Sequence, residues 1–271
     1  MSIKTLLFLT LFILNLWANE RVVSLSPSIT EILYALGKGE DLVGTSTYSL
    51  YPKEAQNLPI VGSYQKPHLE KILSLKPTLI IGQSFNTKVL EDLKHFGIET
   101  LQVRLKTLDD IKQSIESIAK ATHSQKAKKL IANIDAAIQN THKKNTQEKV
   151  MIVYGLHTDL RGGIYIAGED IFFNDIINEC GATNAYTSNV TSQPVLNYEN
   201  VIALNPDIII ILHSLATESS VDVDAALKAW RTIPTSASKN RKIFILDEDY
   251  LHIPSHRVAK TITKICGAIN D

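Results

Sequence analysis

Apolar runs of strand length alternate with helix-spaced patterns along most of this 271-residue chain. Val22 to Leu25 reads as a buried strand, and Ser26-Pro27-Ser28 leads into a helical pattern from Ile29 to Leu36. Ser28 stands at the N-cap position with Glu31 three residues on, the spacing of a capping box. Gly37 and Gly39 close that helix. Leu42 to Thr45, Leu79 to Gly82 and Thr100 to Val103 read as strands, and Leu69 to Leu75 and Thr87 to Phe96 as helices. From 108 to 144 no strand pattern occurs. Leu108, Ile111, Ile115 and Ile118 share one helix face. A second pattern through Leu130, Ile131, Ile134 and Ile138 starts at Ser124, read as its cap, and ends in the polar run Thr141 to Lys149. The alternation then resumes. Strands are predicted at Val150 to Tyr154, Ile208 to Leu212 and Lys242 to Leu246. Helices are predicted at Phe172 to Cys180, Glu199 to Leu204, Val223 to Thr232 and Val258 to Ile269.

One stretch occurs nearly twice. Leu69-Glu70-Lys71-Ile72-Leu73-Ser74-Leu75-Lys76-Pro77-Thr78-Leu79-Ile80-Ile81 returns as Tyr198-Glu199-Asn200-Val201-Ile202-Ala203-Leu204-Asn205-Pro206-Asp207-Ile208-Ile209-Ile210, offset by 129 residues throughout. Each copy is a short helix, a proline that stops it, and an apolar strand. An offset this long marks a duplicated lobe rather than a solenoid repeat of 20 to 50 residues. Strands alternating with helices imply parallel sheets in three-layer α/β lobes. The expected organisation is an N-terminal lobe at 19–104, a helical segment at 105–149 and a C-terminal lobe at 150–271. The second helix of the middle segment, about 20 residues or 30 Å long, is read as the connector between lobes. Two ordinary surface helices of the first lobe are the alternative. A cleft between the lobes is the expected ligand site.

Residues 2–18 hold one lysine, an apolar run of about a dozen residues and a small residue, the form of a secretory signal cut after Ala18. The run is short for a bilayer span of about 20 residues. No cysteine follows it, so no lipid anchor is expected and the mature chain is expected free in an oxidising compartment. Hydrophobic residues make up 44% and charged residues 21%, enough for full cores. The formal charge is zero, which gives no basic face for nucleic acid. Cys180 and Cys266 are the only cysteines. In an exported chain they are expected as one disulfide, with two buried thiols or a metal pair as alternatives. Closing so long a loop is worth about 4 kcal/mol in the chain-entropy model.

No GxSxG elbow, Walker loop, HExxH or strand-linked GxGxxG is present, so no catalytic residue or catalytic cofactor is assigned. Ligands of α/β lobes sit beyond the carboxyl ends of the strands. That rule selects Tyr48, Tyr51, Tyr64, Ser84 and Phe85 in the first lobe. It selects His157, Arg161, His213, Asp249, Tyr250 and His252 in the second. Aromatic faces opposite polar and basic groups suit a large planar or macrocyclic ligand. Packing at a lobe edge is the alternative for each aromatic alone. His68, His213, His252 and His256, with His157, fall in predicted loops, and three or four converging would make a site for a metal or chelated metal. Their spacing is irregular, and no metal site is assigned. His95, His123 and His142 read as solvated helix residues. Glu70 and Glu199 open the two equivalent helices. Each is either a favourable charge at a helix N-terminus or an exposed anchor for basic residues of a membrane partner.

Taken together, Arg21-Val22-Val23-Ser24-Leu25-Ser26-Pro27-Ser28-Ile29-Thr30-Glu31 and Pro67-His68-Leu69-Glu70-Lys71-Ile72-Leu73-Ser74-Leu75-Lys76-Pro77 resemble the class III periplasmic binding proteins. These serve ABC importers of vitamin B12, siderophores and haem. Asn is usual in that family where His68 stands. The resemblance implies two Rossmann-like lobes joined by one long helix. It is strongest to the cobalamin-binding branch, on Thr47-Tyr48-Ser49-Leu50-Tyr51-Pro52, on Tyr64 where that branch carries a tryptophan, and on Asp249-Tyr250. It also implies a Cys180–Cys266 disulfide and transporter-docking roles for Glu70 and Glu199. The haem-binding branch places its iron-ligating tyrosine one position before Tyr64, where this chain has Ser63. Cleft tryptophans of the cobalamin branch are tyrosine or missing here, its cleft arginine falls near Ile253, and the extra histidines lie outside its pattern.

The expected function is a monomeric receptor that carries a corrinoid to an inner-membrane ABC permease without transforming it. An iron-siderophore, haem or other metal chelate is the alternative ligand. A free-metal receptor and an exported hydrolase on the same scaffold are the remaining readings.

Overall fold

A computed structural model describes residues 20–141, 147–188, 191–213 and 222–271. The expected signal segment and His142 lie outside the described residues. Compactness divides the chain into two units. The first runs up to Gln102 and includes Ala121–Ser124; the second comprises Val103–Lys120 and Gln125–Asp271, so that each of two elements, ending at Val103 and Ala121, belongs to one unit in all but its last residue.

In the first unit the described elements are β1 (Val22–Ser24), α1 (Pro27–Ala35), β2 (Leu42–Gly44), α2 (Leu69–Ser74), β3 (Leu79–Gln83), α3 (Thr87–Lys94) and β4 (Glu99–Val103). The strand order is β2-β1-β3-β4, and β1 pairs parallel with both neighbours. Val22, Val23, Ile80 and Ile81 are fully buried, as strands covered on both faces require. Val23, Leu25, Val61, Ile72, Ile80, Leu90 and Leu93 form one core cluster.

The cap of α1 differs from the sequence expectation. Ser26, not Ser28, is the N-cap: its backbone is extended and its hydroxyl accepts from Ile29 N. Pro27 explains the shift, because its missing N–H and fixed φ suit the first helical position. Ser28 is buried inside the helix. Gly37 ends it at φ 77°, a left-handed conformation that favours glycine.

The second unit holds α4 (Leu108–Ala121), α5 (Ala127–Gln139), β5 (Lys149–Tyr154), β6 (Ile164–Tyr165), α6 (Phe172–Glu179), β7 (Thr183–Asn184), β8 (Val195–Leu196), α7 (Tyr198–Leu204), β9 (Ile208–His213), α8 (Val223–Arg231), α9 (Ser236–Asn240), β10 (Ile243–Asp247) and α10 (Val258–Asn270). Its main sheet runs β10-β9-β5-β7, parallel at every pairing. Read from β7, the order is second, first, third, fourth, the same as in the first unit. The duplication seen in the sequence is thus a duplication of topology. In each copy the repeated helix, α2 or α7, feeds the third strand through its proline.

The expected connector helix is shorter than its pattern. Helix α5 spans 13 residues and begins after Ser124. Ser124 does not cap it; the hydroxyl donates to Leu36 O at 2.7 Å instead. Lys112 of α4 pairs with Asp135 of α5, and α5 packs on α10. The N-terminus of α4 is held from α6, where Asp175 accepts from Leu108 N at 2.8 Å. Strands β6, β7 and β8 were absent from the sequence reading because two residues carry no period.

Cys180 and Cys266 form a disulfide, with Cα atoms 5.1 Å apart and a sequence separation of 86. It ties the end of α6 to α10. In the chain-entropy model a loop this long gives about 4–5 kcal/mol. Replacing both cysteines by alanine is therefore expected to lower stability to urea by roughly 2–5 kcal/mol. An unchanged urea midpoint would show that the bond constrains little.

Candidate ligand-binding site

Both sheets reverse direction of growth between their first and third strands, β1 and β3 in one unit, β5 and β9 in the other. The crevice beyond the carboxyl ends of such a strand pair is where open α/β sheets bind ligands. The residues at those ends define the candidate surface on each unit.

On the first unit the segment after β2 carries Tyr48 and Tyr51. Thr45 N donates to Pro59 O, Val61 N donates to Thr45 O and Thr47 N donates to Gly62 O, which lays residues 45–47 beside 59–62. Tyr48 has φ 64° and a side chain 67% exposed. Tyr51, Tyr64 and Phe85 are also exposed. Tyr64 and Phe85 meet edge to face with centroids 5.5 Å apart. Ser84 opens the turn that carries Phe85.

The residue that joins these two loops is Asn86, which sequence reasoning missed. It is buried, accepts from Gln83 N and donates through Nδ2 to Tyr64 O, both at 2.9 Å. Gly82 makes room for it: a Cβ there would lie 3.0 Å from Asn86 Oδ1. The available signal was an asparagine just past a strand end, where its side chain bonds nearby backbone.

On the second unit the candidates divide into three groups. His157 and Arg161 are exposed on the segment after β5. Arg161 donates to both oxygens of Asp159, at 2.9 and 2.8 Å, and its guanidinium holds that carboxyl down at about 2. His213 is buried at the end of β9, its Nδ1 3.6 Å from Asp247 Oδ1 on the adjacent strand. Asp249, Tyr250 and His252 follow β10. Buried Arg257 donates to both oxygens of Asp249 at 2.9 and 2.8 Å. Tyr250 lies beneath two cations, Arg257 at 5.6 Å and Lys260 at 5.7 Å from its centroid. Burial, then Glu248, pushes its phenol up. His252 packs on Tyr154, centroids 5.7 Å apart, and Tyr154 meets Phe173 edge-on at 5.9 Å. Burial raises the Tyr154 phenol far above its usual range.

Arg257 and Tyr154 had no sequence signal, since a helix start and an apolar strand end look ordinary. Tyr165 and Val195 were missed too. They are cross-strand partners on the β6–β8 ribbon and both are half exposed.

His68 belongs to the first unit, exposed at the N-cap of α2. His213, His252 and His256 belong to the second. Among the described residues, no three His, Cys, Asp or Glu side chains are grouped to hold a metal ion. Glu70 and Glu199 lie exposed in the first turns of α2 and α7, and neither carboxylate has a hydrogen-bond or ion-pair partner among the described residues.

Residues 22–250 match the family described as periplasmic binding protein, and the chain belongs to that family. The curated relatives include the vitamin B12-binding protein of Vibrio parahaemolyticus, 32% identical over 273 residues, covering 97% of this chain and 95% of that one. Among solved structures, the periplasmic vitamin B12 binding protein BtuF of Vibrio cholerae superposes with a TM-score of 0.74 at 27% identity, covering 93% of this chain and 96% of that one. The periplasmic heme binding protein HutB of Vibrio cholerae gives 0.77 at 28% identity, covering 94% and 100%. The two α/β lobes with parallel sheets expected from the sequence agree with this fold. No helix among the described residues is long and apolar enough to cross a membrane.

His256 directly precedes Arg257, just before the start of α10. Burial first, then Arg257 and Lys260, lower its imidazole to about 4 from an ordinary 6.5. The unfolded chain therefore takes up this proton before the folded one. The stability it contributes is complete above about 6.5 and falls as pH drops towards 4, by on the order of 3 kcal/mol. His256→Gln is expected to flatten the urea midpoint between pH 6.5 and 4. Equal slopes in wild type and variant would remove His256 as the cause.

Proposed function

We propose that this protein is the substrate-binding component of an ABC importer and that it receives a corrinoid. The observation that carries the reading is the aromatic display on the first unit. Tyr48, Tyr51, Tyr64 and Phe85 are each at least 39% exposed at the carboxyl-end face of one sheet. Large aromatics left in water on an ordered backbone mark a binding surface. Their flat faces suit a macrocycle, and the similarity to proteins named for vitamin B12 points the same way. On the second unit, His157, Arg161, Asp249, Tyr250 and His252 are assigned as ligand-contacting residues, together with buried His213 at the end of β9.

A haem or ferric chelate is the second reading. The superposition on a heme-binding protein at 28% identity favours it. In either case the protein holds its cargo without changing it. Residues 1–18 are assigned as a cleaved export signal, which delivers the mature chain to the periplasm.

Calorimetric titration with cyanocobalamin, haemin and a ferric siderophore decides the ligand. Cyanocobalamin is expected to bind tightest. Tyr64→Ala should weaken it about tenfold, the loss of one aromatic contact of about 1.4 kcal/mol. Binding weaker than high micromolar for all three removes the ligand class.

Glu70 and Glu199 are assigned to permease docking, because two unpartnered carboxylates occupy equivalent first turns. Reversing both to lysine is expected to abolish uptake in cells while leaving ligand affinity intact. Unaltered uptake would return them to the role of helix-end charges.

A further inference from the structure

Beneath the Tyr48–Tyr51 segment lies a cluster of buried hydroxyls that neither family membership nor the ligand reading explains. Ser24, Thr30, Thr45, Ser46 and Ser49 are all at most 4% exposed. Thr45 donates to Ser49 Oγ at 2.8 Å, and Thr30 Oγ1 lies 2.6 Å from Thr45 Oγ1. Thr30 also reaches Ser24 Oγ at 2.9 Å, and Ser24 donates to Ser26 O at 2.9 Å. The chain of contacts thus runs from the carboxyl end of β1, through the first turn of α1, to the segment after β2.

That segment holds a conformation it would not adopt alone. Tyr48 is left-handed at φ 64°, which disfavours a bulky side chain. The hydroxyl of Thr47 is buried with no hydrogen-bond partner, which leaves its desolvation uncompensated. Such strain persists only where the surroundings over-determine the backbone. The surroundings here are the hydroxyl cluster below Ser49, with Gln56 donating to Leu50 O at 2.9 Å from the side.

We infer that Thr45 and Ser49 are positioning residues that lock the Tyr48–Tyr51 segment in the conformation that receives the ligand. A preformed aromatic edge avoids the ordering cost of a mobile loop, and that saving appears as affinity. The consequence for affinity rests on the ligand reading above; the consequence for loop order does not.

Ser49→Ala, Thr45→Val and the conservative Thr45→Ser test this in the otherwise intact chain. Hydrogen exchange of the Thr47 and Leu50 amides, bonded to Gly62 O and Tyr48 O, reads loop order without ligand. Cyanocobalamin and haemin titrations read affinity. Ser49→Ala and Thr45→Val are expected to speed both exchanges and raise Kd, each about tenfold, with a cooperative thermal transition retained. Thr45→Ser is expected to preserve both. Should Thr45→Val not fold, Ser49→Ala carries the test. Undiminished amide protection in Ser49→Ala overturns the inference. So does lost protection with unchanged affinity. Wild-type protein that binds neither probe removes the ligand reading alone; the exchange data then still uphold or overturn the locking of the loop.

Discussion

Parallel pairing of short, wholly buried strands is the constraint on which the rest of this structure depends. Strand β1 lies between β2 and β3, and β5 lies between β7 and β9, each parallel to both neighbours. Parallel strands end on the same edge of their sheet, so the segments that follow them collect on one face. The strands need only be apolar for this to happen; Ile208 to Leu212 has no accessible surface at all. Everything chemically specific is left to the loops, which the sheet places but does not shape.

The first unit shapes its loops with neutral hydrogen bonds. Hydroxyls beneath Ser49 and the carboxamide of Asn86 hold backbone, and the aromatic rings they support stay in water. Buried polar groups of this kind are favourable only when their bonds are made. The same requirement makes the arrangement rigid. A rigid display of tyrosine and phenylalanine suits a receptor, whose affinity improves when the surface is ordered before the ligand arrives.

The second unit uses the same strand order to a different end. Its loops are held by charge: Arg257 on Asp249, Arg161 on Asp159, cations over Tyr250. His213 is fixed in the sheet beside Asp247. Duplication therefore preserved the scaffold, including the helix–proline–strand segment, while the two carboxyl-end faces diverged. The disulfide belongs to the second unit alone, where it joins helices far apart in sequence.

Most of the fold was legible in the sequence, because apolar strands, helix periods and glycine or proline stops act through neighbours along the chain. The repeat, the two parallel sheets and the exposed tyrosines belong to this class; the disulfide partners were legible because the chain has only two cysteines. What escaped acts across the chain, apart from one local cap. Pro27 moved a cap to Ser26 by backbone geometry that a one-dimensional capping pattern overlooks. Ser124 was drawn to Leu36 O, 88 residues away, so the next helix began later. Asn86, Thr45, Ser49, Arg257 and Tyr154 matter only through partners that folding supplies. The chain by itself determined which residues would stand at the ends of the strands. Tertiary structure alone decided which of those would be held still, because a hydrogen bond or ion pair between distant residues leaves no periodic trace in the order of amino acids.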